Sequence, residues 1–321
     1  LRTWYLKFDI RVYAKNSRLS YFTKNDLIAM KIGVVCYPTY GGSGVLATEL
    51  GIGLAKRGHE IHFITYRPPA RLIPFHENVF YHEVRTEDYP LFEYTPYDTA
   101  LASKLVDVVK YDKLDILHVH YAIPHASAAY MAQQILKSQN INIPFITTLH
   151  GTDITLVGKD PSFEPVITFS INNSNAVTTV SESLRQDTLE HFNITNDIKV
   201  IPNFICTPCY QLPLNDFYKK RYAPNGEFIL THISNFRKVK RIEDVVKVFR
   251  KIREKIPCRL LFVGDGPDRI NIERTVRQSC EREDVLFGGH LNSTREALNI
   301  SDLFILPSET DSFGLVALES L

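Results

Sequence analysis

The sequence predicts an α/β protein of two doubly wound domains that face each other across a cleft. Three observations carry this. From Met30 onward, apolar runs of strand length alternate with segments of helical period. The alternation lapses over residues 202–222, where three prolines and two cysteines fall in loop-like sequence, and then restarts. In each half a loop rich in glycine or cations joins a strand to a helix, which is where such sheets bind ligands.

In order, a strand over 31–37, a helix over 45–57 closed by Gly58 and a strand over 59–66 make one β-α-β unit. Strands follow at 79–84, 115–120, 144–150, 176–181 and 199–201, with helices over 97–111, 125–137 and 182–192. Such a sequence builds a parallel sheet covered on both faces. The second half reads as strand 228–232, helix 242–255, strand 259–263, helix 268–280, strand 285–287, helix 294–299 and strand 303–306, with a last helix starting near Phe313. The predicted domains are 30–204 and 205–321, and the second is expected to be incomplete at Leu321. Residues 1–29 precede a β-like run and lack the apolar core and cleavage site of a secretory signal, so they are expected to be a non-native or disordered extension.

Composition narrows the function. The chain has 321 residues, 44% apolar and 23% charged, as ordinary soluble proteins do. Outside residues 1–29, 31 basic residues face 34 acidic ones, which leaves no basic excess for nucleic acid. No run approaches the roughly 20 apolar residues of a membrane helix. Five scattered cysteines do not form a secreted disulfide framework, and Cys206 and Cys209 have no second pair to complete a zinc site, so a cytoplasmic location is expected.

Pro307 ends the last apolar run, and the loop behind it leads into helix-like sequence at Phe313, Gly314 and Leu315. The first amides of a helix point outward without partners, and Gly314 lets a phosphate approach them. Asp311 and Glu319, on either side, suit sugar hydroxyls. The stretch Ser234-Asn235-Phe236-Arg237-Lys238-Val239-Lys240-Arg241 follows a strand and supplies four cations for a diphosphate. In the first half, Gly41-Gly42-Ser43-Gly44 permits close backbone approach. Its spacing is not Gly-x-Gly-x-x-Gly, and the next strand ends in Tyr66-Arg67 rather than an acid, which argues against a dehydrogenase. His118, His120, His125 and His150 cluster at strand ends without a metal-ligand spacing, and the chain has no Asp-x-Asp, so no metal is expected. By strand alternation His118 is expected in the core, with His120 and His150 facing the cleft.

Together these stretches, with His150-Gly151-Thr152-Asp153, Val180-Ser181-Glu182-Ser183, Ile201-Pro202-Asn203 and Val263-Gly264-Asp265-Gly266-Pro267, resemble the retaining glycosyltransferases of family 4, which have the GT-B fold. The resemblance implies an N-terminal acceptor domain and a C-terminal nucleotide-sugar domain. It implies that Arg237 and Lys240 hold a UDP diphosphate, Glu319 the ribose, Asp311 the donor sugar and the Phe313, Gly314 and Leu315 backbone the phosphate. Gly42, Ser43 and Gly44 would border the donor, His120 and His150 would line the sugar and acceptor side, and these two histidines with Arg237, Lys240 and Asp311 would be the catalytic residues. A narrower similarity, in Cys36-Tyr37-Pro38, residues 118–126 and residues 234–241, is to the branch that transfers N-acetylglucosamine from UDP-GlcNAc to L-malate, the first step of bacillithiol biosynthesis. That branch implies Ser43, Tyr121 and Thr152 near malate, with Arg67 and Arg71 as further candidates on charge alone. It requires no cofactor and leaves room for a homodimer. A lipid or polyol acceptor, or an inactive fragment, is the alternative. Two positions depart from the family pattern: Asp311 stands for a Glu, and Asn235 for an Arg, with Arg237 two places later.

Overall fold

The computed structural model describes residues 29–72, 76–86, 95–156, 158, 160–206, 216–278, 282–291 and 293–321. Residues 1–28 of the expected extension lie outside this description. The first unit contains β1 (Lys31–Val35), α1 (Gly42–Ala55), β2 (Glu60–Thr65), β3 (Val79–Glu83), α2 (Tyr97–Asp112), β4 (Ile116–His120), α3 (Ser127–Ser138), β5 (Phe145–Leu149), α4 (Glu164–Asn172), β6 (Ala176–Thr179), α5 (Glu182–His191) and β7 (Ile198–Val200). After α6 (Asp216–Tyr222), the second contains β8 (Phe228–Ile233), α7 (Ile242–Arg253), β9 (Cys258–Val263), α8 (Arg269–Arg277), β10 (Val285–Gly289), α9 (Arg295–Asn299), β11 (Leu303–Phe304) and α10 (Leu315–Glu319).

Both sheets are parallel, ordered β3-β2-β1-β4-β5-β6-β7 and β10-β9-β8-β11. This order positions the site. The first sheet grows from β1 through β2 to β3, then turns back so that β4 pairs the free side of β1. The second grows from β8 to β10, and β11 then joins the other side of β8. Where the winding reverses, the loops leaving two neighbouring strands diverge and open a crevice. In the first unit those loops follow β1 and β4; in the second they follow β8 and β11. All four carry candidate residues.

Apolar strand residues cover both sheet faces. Ile64, Leu117, Val119 and Phe145 pack under Leu101, Leu105 and Val109 of α2, while Val34, Ile61 and Phe63 meet Ala47 and Ala55 of α1. In α7 the buried Val245, Val246 and Phe249 make one stripe, with Glu243 and Asp244 at its amino end and Arg250, Lys251 and Arg253 at its carboxyl end, as the helix dipole favours.

Several expectations need correction. The helix α4 was not anticipated: Pro165 and its β-branched and Thr, Ser and Asn content hide the pattern that buries Ile167 and Ile171. The segment 202–222 contains α6, which is only two turns long. The helix expected from His125 begins at Ser127, behind a single π-turn over Ala122–Ala126. Cys206 is disulfide-bonded.

Candidate active site

The amino end of α1 forms the first wall. A Cβ on Gly44 would lie 2.4 Å from the Thr39 oxygen and 2.5 Å from the Tyr37 oxygen, so the loop closes this tightly only with glycine there. Beside it, the Tyr121 hydroxyl donates to Ser43 Oγ at 2.6 Å and is also hydrogen-bonded to Thr152. Burial pushes this phenol up to about 12, with the Ser43 and Thr152 contacts opposing. Ser43, Tyr121 and Thr152 therefore share one polar cluster.

Behind it stands a stack of imidazoles. The rings of His118 and His120 lie 4.5 Å apart and those of His120 and His150 5.1 Å apart, with His120 Nδ1 2.8 Å from His150 Nε2. His118 Nε2 meets Thr148 Oγ1 at 2.7 Å, and His125 Nδ1 meets the His120 carbonyl at 2.5 Å. Burial holds His118 and His125 down to about 4 and His150 to about 3, and depresses His120 strongly, so all four are neutral at pH 7. His120 is 1% exposed and His150 7%, so neither lines an open cleft as expected; His150 instead backs the Tyr121 ring at 5.2 Å. His118, expected in the core, is half-buried.

Sequence reasoning gave Asp153 no role of its own. Buried behind Gly151, it accepts the Ala122 amide at 3.0 Å and the Gly151 amide at 3.1 Å, tying the loop after β4 to the loop after β5. Burial raises its carboxyl to about 6 against these amide contacts. An acid two residues after a loop glycine is the signal that was available.

The second wall comes from the loops after β8, β9 and β11. A Cβ on Gly264, at φ 113°, would lie 1.9 Å from the Ser234 oxygen, and one on Gly266 2.0 Å from the Asn235 oxygen. The two loops thus pack backbone to backbone. His232 reinforces them, contacting the Ile305 carbonyl and Ser234 Oγ at 2.8 Å each. Of the four expected cations, Lys240 Nζ donates to Asp311 Oδ2 at 2.6 Å, and Arg241 pairs with Asp244 of α7 at 2.5 Å. Arg237 is exposed and engaged by no carboxylate among the described residues.

The walls meet. Leu315 lies against Gly42, where a Cβ would stand 3.8 Å from Leu315 Cδ2; Ser312 abuts Gly151, and Phe313 packs on the Ala122, Leu149 and Leu184 cluster. Glu319, 7% exposed, accepts from Thr294 Oγ1 at 2.8 Å and faces Arg71 Nη1 at 3.5 Å. Arg71, suggested for an acceptor carboxylate, is thus held at Glu319 and Thr294, which are distant in sequence and gave no signal. Arg67 is exposed, its guanidinium 5.4 Å from the Tyr66 ring centre.

Two parallel Rossmann-like sheets with such a cleft define a GT-B glycosyltransferase, and the chain belongs to glycosyltransferase family 4. The Glycosyltransferase Family 4 model matches residues 40–207, and the model for glycosyl transferases group 1 matches 215–321. The chain is 49% identical to the N-acetyl-alpha-D-glucosaminyl L-malate synthase of Bacillus anthracis, over 91% of this chain and 76% of that protein. It is 26% identical to the uncharacterized glycosyltransferase MJ1607 of Methanocaldococcus jannaschii, over 91% and 78%. Among solved structures, sucrose-phosphate synthase of Thermosynechococcus elongatus superposes with a TM-score of 0.68 at 18% identity, covering 91% of this chain and 78% of that one. The Anabaena protein HepE, in complex with UDP and glucose, gives 0.69 at 17% with the same coverage. These two share the fold.

Proposed function

We propose that this enzyme transfers N-acetylglucosamine from UDP-GlcNAc to the hydroxyl of L-malate with retention, opening bacillithiol biosynthesis. The observation that carries the reading is the 49% identity to the Bacillus anthracis malate synthase across both halves of the cleft. In this reading the bond from the anomeric carbon to the UDP oxygen breaks through an oxocarbenium-like state. The malate oxygen bonds to the same face, and its proton passes to the departing diphosphate oxygen.

Arg237, Lys240 and the first amides of α10 neutralise the leaving diphosphate in place of a metal. Lys240 already sits on Asp311, so a donor occupying this site spans the pair, with its phosphate toward Lys240 and its sugar toward Asp311. Glu319 accepts the ribose hydroxyls. Opposite, Ser43, Tyr121 and Thr152 offer neutral hydrogen bonds to malate, with the imidazole stack behind them. Among the described residues no helix is long and apolar enough to cross a membrane. The proposal includes a cytoplasmic enzyme and assembly as a homodimer, which cell fractionation and sedimentation of the chain read.

Mass spectrometry of products from UDP-GlcNAc and a panel of hydroxy acids tests the reading. An N-acetylglucosaminyl-malate adduct is expected; transfer only to polyols or lipids overturns the acceptor. Full turnover in chelator supports the metal-free step, and loss of turnover while the chain stays folded, with Tm unchanged, refutes it.

A further inference from the structure

A second cluster lies away from the cleft. His62 on β2, His82 on β3 and Asp112 at the end of α2 each offer a donor atom, all within 4.8 Å of one another. Because α2 runs back from the carboxyl edge of the sheet, its last residue sits at the edge opposite the candidate active site, and β3 is the outermost strand. We infer that these three side chains form a binding site for a divalent transition-metal ion of the zinc class.

The donor chemistry fits, because two imidazoles and one carboxylate suit zinc, with a fourth position left for water. Orientation fits as well. Glu60 Oε1 takes the Nε2 side of His62 at 2.9 Å, the outer contact that fixes a ligating imidazole and directs its other nitrogen inward. That nitrogen, Nδ1, faces His82 Nε2 at 2.8 Å. Tetrahedral zinc with bonds of about 2.0–2.1 Å sets two ligand nitrogens about 3.3 Å apart, so the rings, which now meet nitrogen to nitrogen head-on, need to part by roughly half an ångström and to tilt toward the ion. The proton between them moves to His82 Nδ1, leaving both rings neutral.

Phe80 stacks on His62 at 4.9 Å and walls one side. On the other, a surface depression of about 550 Å³ reaches His82 and is lined also by Glu83, Ser103, Lys104 and Asp107. Three cations stand near: Lys31, already paired with Glu60 at 2.6 Å, Arg85, paired with Glu83 at 3.0 Å, and Lys104. A bound ion would clamp the outer strands to α2, so its effect is on stability.

The test uses tag-free chain, stripped with chelator and titrated with cobalt(II), then with zinc. One cobalt per chain with a visible ligand-field band is expected, together with a rise of a few degrees in Tm on adding zinc. His82→Ala and Asp112→Asn are each expected to weaken binding on the order of a hundredfold and to abolish that rise, and Glu60→Gln to weaken it about tenfold. Asp112→Asn, at a half-buried helix end, keeps the test decisive where His82→Ala does not fold. Substoichiometric binding, or stoichiometric binding unchanged in both ligand variants, overturns the site.

Discussion

The two walls of the cleft are built by opposite means. The N-terminal wall is buried and close to neutral: four imidazoles held uncharged, a phenol held protonated, and one carboxylate, Asp153, which burial raises to about 6 and whose charge is met by backbone amides. The C-terminal wall is charged and partly exposed, with Arg237 open to solvent and Lys240 paired to an acid. The contrast matches the chemistry proposed for each side. A diphosphate needs full positive charge at the moment it leaves, whereas the acceptor side needs fixed dipoles that add no charge of their own.

The sharpest way to break the comparison is to disturb the neutral wall where it cannot yield. In Gly44→Ala the new methyl meets two backbone oxygens at 2.4 and 2.5 Å, and no flexible side chain can give way. The loop must move, with an expected loss of about 4 kcal/mol or more and of detectable turnover. Denaturant unfolding and product formation read the two effects; a variant with native stability and activity contradicts the packing described.

Acid bears mainly on the N-terminal wall next, with four depressed imidazoles there against one, His232, in the C-terminal wall. A buried His with a depressed native pKa is neutral in the fold and takes a proton on unfolding, so stability is complete above the ordinary His value and falls as pH drops through it. For His125, held to about 4, this window runs from about 6.5 down to about 4, and one such imidazole is worth on the order of 3 kcal/mol. Asp153 works in the opposite sense, favouring the fold as pH falls through about 6, but it is one carboxyl against four imidazoles. Stability measured from pH 7 to 4 should fall, and His125→Gln should flatten the slope; an unchanged slope would place the titration elsewhere.

Much of this was legible beforehand, and the reason differs between the walls. Strand ends betray themselves as apolar runs that stop at Pro, Gly or His, so the loops after β1, β4, β8 and β11 could be placed from sequence. Charge identity was legible too, in Arg237, Lys240 and Asp311. Burial was not, because strand alternation cannot tell whether His120 ends in an open cleft or beneath a loop folded over it. Partnership was least legible of all. The Lys240 to Asp311 bridge and the Glu319 to Arg71 contact join positions far apart in the chain, and neither spacing nor composition encodes them.

On the charged wall, Lys240→Ala and Arg237→Ala are each expected to lower kcat/KM about a hundredfold, the cost of removing a contact that strengthens as charge develops. Lys240→Ala also frees Asp311, so its effect on donor KM should exceed that of Arg237→Ala. Near-native UDP release in both variants would remove them from the mechanism.

Arg71 gives the smallest effect and the finest discrimination, because it belongs to the N-terminal unit yet reaches the acid proposed for the ribose. Its Nη1 stands 3.5 Å from Glu319 and 3.8 Å from Glu49, and it has φ 63°, an uncommon backbone for a non-glycine residue. With Thr294 Oγ1 at 2.8 Å supplying the shorter contact, Glu319 keeps its place when the guanidinium is removed, and what is lost is the tie across the cleft. Arg71→Ala should therefore raise the KM for UDP-GlcNAc about tenfold, the scale of one long charge contact, with kcat changed less. A rise confined to the KM for malate would return Arg71 to the acceptor carboxylates, and the neutral wall would then hold a charge after all.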